Sequence, residues 1–341
     1  EADGDTRRLT DIEDLNGNRI RFEYRERQLH RICHSDGFQL DVECAGGRLR
    51  TLRLSSRERD GASLVRCAYD GHGYLAECAS HQFGVIFHVY DAQGRMRQWR
   101  DTDRTRAHVE YDDRDRVIAT SSDSGHYADR FEYDDVAGCV HYHDAEGGHT
   151  AYHYNADGLV TRVVDPLGHE WLTEWDDLTN KLSETDPLGR TTRYEYNECG
   201  EVTGVVAPDG GRQSFEYDAN GARRAVTRAD GAQWQFFHDA GGNPTGMRDP
   251  YGRRVGYRLG ARGEVLRREM PNGSQWRYAY DERHRLREVV APDGATTRLR
   301  EDIFGRVLEA VDALGQVTRY EYDAGHASPA GSVGTVILPD G

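Results

Sequence analysis

The sequence predicts an all-β protein in which short β-hairpins follow one another in a long antiparallel meander. Two observations predict it. An aromatic residue recurs every 21 residues, as at Tyr154, Trp175, Tyr196 and Tyr217, and a fixed period of this length is typical of a repeat architecture. Between these positions, glycine-containing turns separate segments of alternating pattern, whereas helix caps and a 3.6-residue period are nearly absent.

The 21-residue register extends over much of the chain. One step of 22 residues lies between Tyr111 and Tyr133, and the spacing holds even where the aromatic residue is replaced. The thirteen positions are Tyr69, Tyr90, Tyr111, Tyr133, Tyr154, Trp175, Tyr196, Tyr217, His238, Leu259, Tyr280, Glu301 and Tyr322. We interpret six of them as structural anchors of the repeat: Tyr154, Trp175, Tyr196, Tyr217, Tyr280 and Tyr322.

The repeat that begins at Thr191 predicts one β-hairpin. Its first six residues, TTRYEY, alternate as a strand does, and residues 197–200 (NECG) form a turn. Residues 202–206 (VTGVV) form a second strand, and residues 207–210 (APDG) form a second turn. Each repeat therefore supplies two strands of about six or seven residues.

The second turn recurs with proline and glycine in fixed places. Proline presets φ at the second turn position and glycine accepts a left-handed conformation at the fourth, so we interpret it as a type I turn followed by a G1 bulge. The predicted turn residues are Pro166, Gly168, Pro187, Gly189, Pro208, Gly210, Pro250, Gly252, Pro271, Gly273, Pro292 and Gly294.

A ribbon of this length is expected to coil. Thirteen hairpins make about 26 strands, which at roughly 4.8 Å per strand would extend on the order of 120 Å. Antiparallel sheets twist and rarely stay open beyond about ten strands. No helical segment is available to cover a face, so we expect a hollow spiral shell whose cavity the side chains do not fill.

The chain divides into three predicted parts. Residues 1–63 are degenerate N-terminal repeats with a polar insertion at Ser55–Ser63, and residues 64–323 are the regular repeats. Residues 324–341 hold a second insertion, around Gly325 to Gly331, and the start of a further repeat that breaks off at Pro339. A strand edge without a partner promotes aggregation, so we expect the chain to be a fragment of a longer protein.

Composition excludes several classes of protein. The 341 residues carry a net charge of −15, so a nucleic acid would be repelled. No run approaches the roughly 18 apolar residues of a membrane-spanning helix, and no apolar signal-peptide segment is present at Glu1–Leu9. Mean hydropathy is only −0.83, but the 19 Tyr, 9 Phe and 5 Trp argue against disorder.

The unit Tyr-Asp-x-x-Gly-x-Val…Asp-Pro-x-Gly-x-x-Thr-x-Tyr, at residues 154–175 and 175–196, resembles the Rhs/YD-repeat family. The likeness covers about residues 64–323, and weakly 10–60. The resemblance implies a hollow β-cocoon, here a partial one, that in bacterial polymorphic toxins encloses a variable C-terminal toxin domain. Many such proteins resemble type VI secretion effectors that act in interbacterial competition; related shells occur in insecticidal toxin complexes and in teneurins.

The partners that the resemblance implies lie outside this chain. They are the enclosed C-terminal toxin domain, the rest of the shell, and a spike protein, a chaperone and an immunity protein of the full system. The implied localisation is the bacterial cytoplasm before export, then the target cell. The family's end-of-core motif, similar to Asp-Pro-x-Gly-Leu-x-Gly-Gly and tied to self-cleavage, is missing, so autoproteolysis is not assigned.

We predict no catalytic, cofactor-binding or metal-binding residue, because an active site is single whereas these motifs recur. His141, His143, His149 and His153 cluster, with the first two on one strand face, but a metal site needs a third ligand in a closed geometry. Pairs of adjacent acidic residues follow several of the anchor positions. Their carboxylates are candidate ligands for Ca²⁺, although the capping of turns by Asp side chains explains the pairs more simply. These pairs are Asp112-Asp113, Asp134-Asp135 and Asp176-Asp177.

Six cysteines complete the candidate chemistry: Cys33, Cys44, Cys67, Cys78, Cys139 and Cys199. Equal spacings make Cys33 and Cys44, and likewise Cys67 and Cys78, candidate cross-strand neighbours. There is no C-x-x-C motif, so zinc binding is weakly supported. Half-buried reduced thiols are favoured over disulfides for a protein that folds in the cytoplasm.

Three functions remain open from the sequence. The first is a non-catalytic shell that wraps a toxin until delivery. The second is carbohydrate or cell-surface binding, in which rings such as Trp171 or Trp276 stack on sugars. The third is a β-propeller, which requires two repeats per blade and an alternation that the uniform step of 21 does not show.

Overall fold

The computed structural model describes residues 8–56, 59–80, 84–102, 105–125, 128–302, 305–322 and 333–339. Over these residues the chain forms 31 β-strands in one antiparallel sheet and no helix, which confirms the all-β prediction. None of the described residues forms a helix of the length and apolar character that a membrane crossing requires.

The first sixteen strands are β1 (Asp11–Glu13), β2 (Arg19–Arg25), β3 (Gln28–His34), β4 (Gln39–Ala45), β5 (Arg48–Ser56), β6 (Arg59–Tyr69), β7 (Leu75–Ser80), β8 (Gly84–Tyr90), β9 (Met96–Arg100), β10 (Arg106–Tyr111), β11 (Val117–Ser122), β12 (Arg130–Asp134), β13 (Cys139–His143), β14 (His149–Tyr154), β15 (Val160–Val164) and β16 (Glu170–Trp175). The remaining strands are β17 (Lys181–Thr185), β18 (Thr191–Tyr196), β19 (Val202–Val206), β20 (Arg212–Tyr217), β21 (Arg223–Thr227), β22 (Gln233–His238), β23 (Pro244–Arg248), β24 (Arg254–Leu259), β25 (Val265–Glu269), β26 (Gln275–Tyr280), β27 (Leu286–Val290), β28 (Thr296–Glu301), β29 (Val307–Val311), β30 (Val317–Tyr322) and β31 (Val333–Ile337).

Strands adjacent in sequence pair antiparallel, as β18 does with β19 and β19 with β20. The predicted meander is therefore confirmed. Strands β6 to β31 correspond to the 26 strands that thirteen repeats predict, and the less regular N-terminal part adds β1 to β5. Most strands of the repeats have five or six residues, slightly shorter than expected.

Both turns of the repeat close in the same way. At the second turn, the Gly168 N–H donates to the Asp165 carbonyl at 3.0 Å and the Asp165 N–H donates to the His169 carbonyl at 3.0 Å. Gly168 has φ +81°, which a side chain would strain. This is the type I turn with a G1 bulge expected there. At the first turn, Asn197, Gly200 and Glu201 make the same two bonds.

An acidic or amide side chain caps most of these turns. Asp176 Oδ1 accepts the backbone N–H groups of Leu178 and Asn180 at 2.9 and 2.8 Å. Asp112 accepts those of Arg114 and Arg116 in the same way, both at 2.9 Å. These bonds satisfy backbone donors inside the turn. Turn capping is thus what the structure shows for the first residue of these acidic pairs.

Most hairpins of the repeats also contain a bulge that the sequence pattern did not reveal, although β12 and β13 pair without one. Tyr196 pairs with Val202, but the next residue back, Glu195, pairs with Gly204, so Thr203 has no opposite residue. The same register shift recurs between the last two residues of β14, β16, β20, β24, β26, β28 and β30. An extra residue in one strand increases the local twist.

Five of the six predicted anchors, all except Tyr154, donate a side-chain hydrogen bond to the backbone of the preceding hairpin. The hydroxyl of Tyr196 donates to the Lys181 carbonyl at 2.9 Å, and the Trp175 Nε1–H donates to the Val160 carbonyl at 2.8 Å. Both acceptors are the first residue of a second strand, 15 residues earlier. The same bond joins Tyr111 to Met96, Tyr217 to Val202, Tyr280 to Val265 and Tyr322 to Val307.

The described residues of the polar segment predicted at Ser55–Ser63 belong to the sheet. Ser55 and Ser56 end β5 and residues 59–63 begin β6, where Ser55 pairs with Asp60 and Arg53 pairs with Ser63. The second predicted insertion, around Gly325 to Gly331, lies outside the described residues.

The chain divides into two units, and each is a run of paired hairpins. Unit 1 comprises residues 1–87, 238–246 and 254–341, and unit 2 comprises 88–237 and 247–253. Within unit 1, residues far apart in sequence are joined: Asn16 Nδ2 donates to Asn243 Oδ1 at 2.9 Å, and the Arg262 guanidinium pairs with Asp36 at 2.8 Å.

Little of the described chain is buried. The side chains that are buried are few and mostly small: Thr51, Leu54, Ala107, Val109, Cys139, Ala151, Ser183 and Ala225. The chain exposes 22555 Å², whereas a compact globular protein of its mass exposes about 14,000 Å². Within the described strands, most residues are half-buried or exposed, as in a sheet without a packed core.

We expect Tyr196→Phe to destabilise the fold, because it removes the hydrogen bond from the tyrosine hydroxyl to the Lys181 carbonyl. The loss is about 1 kcal/mol in the free energy of unfolding, measured by urea denaturation. Tyr251→Phe is the matched control, since Tyr251 is 84% exposed and should change nothing. Equal effects of the two substitutions would contradict the anchor role.

Candidate functional surfaces

The two-residue period of the strands separates the side chains onto two faces. In β18, Thr192, Tyr194 and Tyr196 point to one face and are half-buried, whereas Arg193 and Glu195 point to the other and are exposed. We call these the aromatic face and the charged face. The same burial pattern recurs in β26, β28 and β30.

The aromatic face carries polar groups among its rings. The Tyr194 hydroxyl donates to the Glu184 carboxylate at 2.6 Å, and the Lys181 ammonium pairs with the same carboxylate at 2.8 Å. Lys181 also lies 5.4 Å from the centre of the Tyr194 ring. Burial, and then the bond to Glu184, raise the pKa of Tyr194 to about 12.

A cavity of about 900 Å³ opens on the aromatic face of β16 to β18. Trp171, which is 40% exposed, lines it together with Glu184 and Thr192. The turn residues Arg190 and Pro208 also line it. An accessible ring beside a carboxylate, a hydroxyl and a guanidinium offers both stacking and hydrogen bonds to a polar guest.

The charged face carries ion pairs between strands, either adjacent ones or, across β19, the strands β18 and β20. Arg212 pairs with Glu195, and Arg224 with Glu216 at 3.2 Å. Gly204 lies beneath the first pair, where a Cβ atom would come within 2.4 Å of the Glu195 carboxylate. Exposed pairs contribute at most about 1 kcal/mol each, so this face is held mainly by the backbone.

The histidine cluster forms a stack. His141 and His143 lie on one face, as predicted, and their ring centres are 5.1 and 4.7 Å from that of His149. His153 Nε2 is 3.9 Å from the buried Cys139 sulfur. Among the residues that the structure describes, no group of three or more His, Cys, Asp or Glu is arranged to hold a metal ion.

The six cysteines are free thiols in the structure. Cys67 and Cys78 are directly opposite each other, which confirms the prediction for that pair. The prediction is wrong for the other pair, because Cys33 lies opposite Gln39 while Cys44 lies opposite Leu49. Burial raises the pKa of Cys67, followed by the effect of the Cys78 sulfur beside it.

The predicted anchors lie on the aromatic face at the end of a strand, and the predicted turn residues lie at the hairpin ends. Sequence reasoning missed the carbonyl acceptors of the anchors and the cavity beside Trp171. Residue type gave no clear signal for the cavity, because the position of Trp171 holds tryptophan in two other repeats, at Trp234 and Trp276, and a smaller residue such as Thr192 elsewhere.

The model of one protein family, the RHS repeat, matches residues 174–212, 217–254, 261–296 and 304–327. These matches identify RHS repeats in the second half of the chain. Two curated Rhs proteins of Dickeya dadantii (strain 3937) are similar to it, the probable deoxyribonucleases RhsA and RhsB, at 31% and 30% identity over 168 residues. The matched segment is 49% of this chain but only 11% of each relative.

Solved structures share the fold. A chain in the crystal structure of TcdB2-TccC3-TEV gives a TM-score of 0.57 at 11% identity, covering 95% of this chain and 23% of that one. A chain in TcdB2-TccC3-Cdc42 gives 0.54 at 11% identity, over 92% and 24%. A chain of the Photorhabdus luminescens Tc holotoxin pore gives 0.50 at 12% identity, over 95% and 22%. At this identity, the likeness describes the Rhs fold alone.

We expect Tyr194 to titrate near pH 12. Because the folded state favours the neutral phenol, its contribution to stability is complete below pH 10 and is lost as the pH rises from 10 to 12. NMR of ¹³C-labelled tyrosine, assigned with Tyr194→Phe, measures the pKa. Glu184→Gln should lower it, whereas Glu195→Gln, on the charged face, should leave it unchanged; an identical response to both would refute the assigned contact.

Proposed function

We propose that this chain is a non-catalytic segment of an Rhs-type toxin shell that encloses a C-terminal toxin domain for delivery to a competitor cell. The guest, the rest of the shell and the delivery apparatus lie outside the chain. In this proposal the sheet coils into a hollow spiral, and one of its two faces lines the interior.

The observation that carries the proposal is the exposed area of the sheet. The chain exposes 22555 Å², about 1.6 times what a compact protein of this mass exposes, and its buried side chains are few and small. A sheet that fills no core of its own is suited to surround something else. The half-buried rings and carboxylates of the aromatic face offer a guest many weak contacts.

The family supports the same proposal. Rhs repeats match four segments of the chain, and the shared fold extends to chains in TcdB2-TccC3 structures, one of which was solved without a hypervariable C-terminal region. The resemblance to polymorphic toxins motivates export from the bacterial cytoplasm, with a type VI spike protein, a chaperone and an immunity protein as partners.

The absence of catalysis in this segment is part of the proposal. The carboxylates that recur in the described turns, such as Asp165 and Asp176, are occupied by backbone N–H groups. The relatives named probable deoxyribonucleases share only 11% of their length with this chain, so their named activity is not carried over. Purified chain incubated with plasmid DNA and Mg²⁺ should leave it intact; cleavage that one substitution in this chain abolishes would overturn the assignment.

Enclosure is tested in the longer protein that carries this chain and its toxin domain. We expect limited proteolysis to spare the toxin domain in the parent protein. Gly189→Val combined with Gly210→Val should speed its cleavage, because both positions have left-handed φ values, +77° and +84°, that valine resists. Tyr251→Phe is the matched control. Equal cleavage rates in all three proteins would exclude a protective shell.

A second candidate function is carbohydrate binding, which the cavity beside Trp171 favours. Its ring, the Glu184 carboxylate and the Thr192 hydroxyl combine stacking with hydrogen bonding, as a sugar requires. We expect Trp171→Ala to abolish any dose-dependent signal on a glycan array. Trp276→Ala is the control, since Trp276 occupies the equivalent position on β26 and is not among the residues that line this cavity. Absence of binding, or equal losses in both variants, would remove this candidate.

A further inference from the structure

Three arginines face one another on the charged face of β24, β25 and β26. Arg258 lies directly opposite Arg267, and Arg267 lies directly opposite Arg277. Arg258 and Arg277 are exposed and Arg267 is half-buried. Like charges directly opposite on a sheet are destabilising. We call these three residues the arginine row.

No carboxylate of the described residues neutralises the arginine row by an ion pair or hydrogen bond. Glu269 is the nearest acidic residue along β25, but it lies opposite Gly256 and Gln275 rather than opposite an arginine of the row. All three arginines belong to unit 1, where the adjoining ion pairs of the charged face are formed.

The two repeats that follow carry a glutamate at the position of Arg267, whereas the two that precede carry Gly246 and Ala225. Arg267, Glu288 and Glu309 occupy equivalent places at steps of 21 residues. Glu288 pairs with Arg298 at 3.0 Å, in the register in which Arg267 opposes Arg277.

Glu309 provides the closest comparison with Arg267. It lies between two arginines, 3.7 Å from Arg300 and 3.3 Å from Arg319. Arg267 lies between Arg258 and Arg277 in the same register. The row is therefore the same arrangement with its central carboxylate replaced by a third guanidinium.

We propose that the arginine row binds an acidic segment of a partner polypeptide, whose carboxylates take the place that Glu288 and Glu309 fill in the neighbouring repeats. Guanidinium groups bind carboxylates through paired, charge-assisted hydrogen bonds. Adjacent strands are about 4.8 Å apart, so the row spans roughly 10 Å and accommodates two or three carboxylates of one segment. A carboxylate is favoured over phosphate because carboxylates fill the equivalent position in the two following repeats, where they pair with arginines of the same register.

A fluorescein-labelled peptide of ten glutamates tests the proposal by fluorescence anisotropy, with a ten-glutamine peptide as the neutral control. We expect the acidic peptide to bind the wild-type chain, more weakly as salt rises, and the glutamine peptide not to bind. Arg267→Glu should weaken binding at least tenfold. The same substitution should raise the melting temperature, because it recreates the arrangement around Glu309.

Two further variants distinguish the row from general charge effects. Glu309→Arg should create a second row and raise the stoichiometry from one peptide to two. Arg212→Glu changes the net charge as much as Arg267→Glu does, but at a paired site, and should leave peptide binding unchanged.

Unchanged peptide binding in Arg267→Glu would overturn the proposal. So would equal losses in Arg267→Glu and Arg212→Glu. Binding of single-stranded DNA that depends on Arg267, without binding of the glutamate peptide, would replace the carboxylate by a phosphate ligand and also overturn it. None of these outcomes depends on whether the chain encloses a toxin.

Discussion

The structure depends on one local constraint, the closure of each turn by its own side chain. In a capped turn such as that of Asp176, one carboxylate oxygen accepts two backbone N–H groups and fixes a five-residue loop. Loop length sets the register, and a slip of one residue would exchange the two faces of a strand. The cap also explains why Thr179 and His284 hold positive φ values, 66° and 55°, where other repeats have glycine.

The strands and turns were predictable because their signals are residue types at a fixed period. The bulge was not, since Thr203 lies inside the run VTGVV, which reads as a continuous strand. The anchor bonds were missed because their acceptors are backbone carbonyls, which no residue type encodes. Cys33 and Cys44 show that sequence spacing alone does not predict cross-strand pairing. Their separation equals that of Cys67 and Cys78, but the turn between them is not midway between the two cysteines, so Cys33 lies opposite Gln39 instead.

The aromatic face and the charged face are stabilised by different side-chain interactions. On the aromatic face, rings and long side chains cover one another, and Tyr194 and Lys181 share the Glu184 carboxylate instead of packing against a second layer. On the charged face, small residues such as Gly204 and Ala225 let ion pairs lie flat across the strands. Neither face needs a core, so the sheet is stable while both remain available to other molecules.

A repeat protein contains its own comparisons, and these separate scaffold from function. The backbone around Arg267, Glu288 and Glu309 has the same register, so the same strand position carries a different side chain in these repeats. At Glu288 and Glu309, the opposing arginine forms an ion pair. At Arg267, the opposing residues are arginines, and their mutual repulsion destabilises the sheet without any need set by the backbone. A feature that the scaffold neither needs nor compensates is best explained by a ligand that it binds.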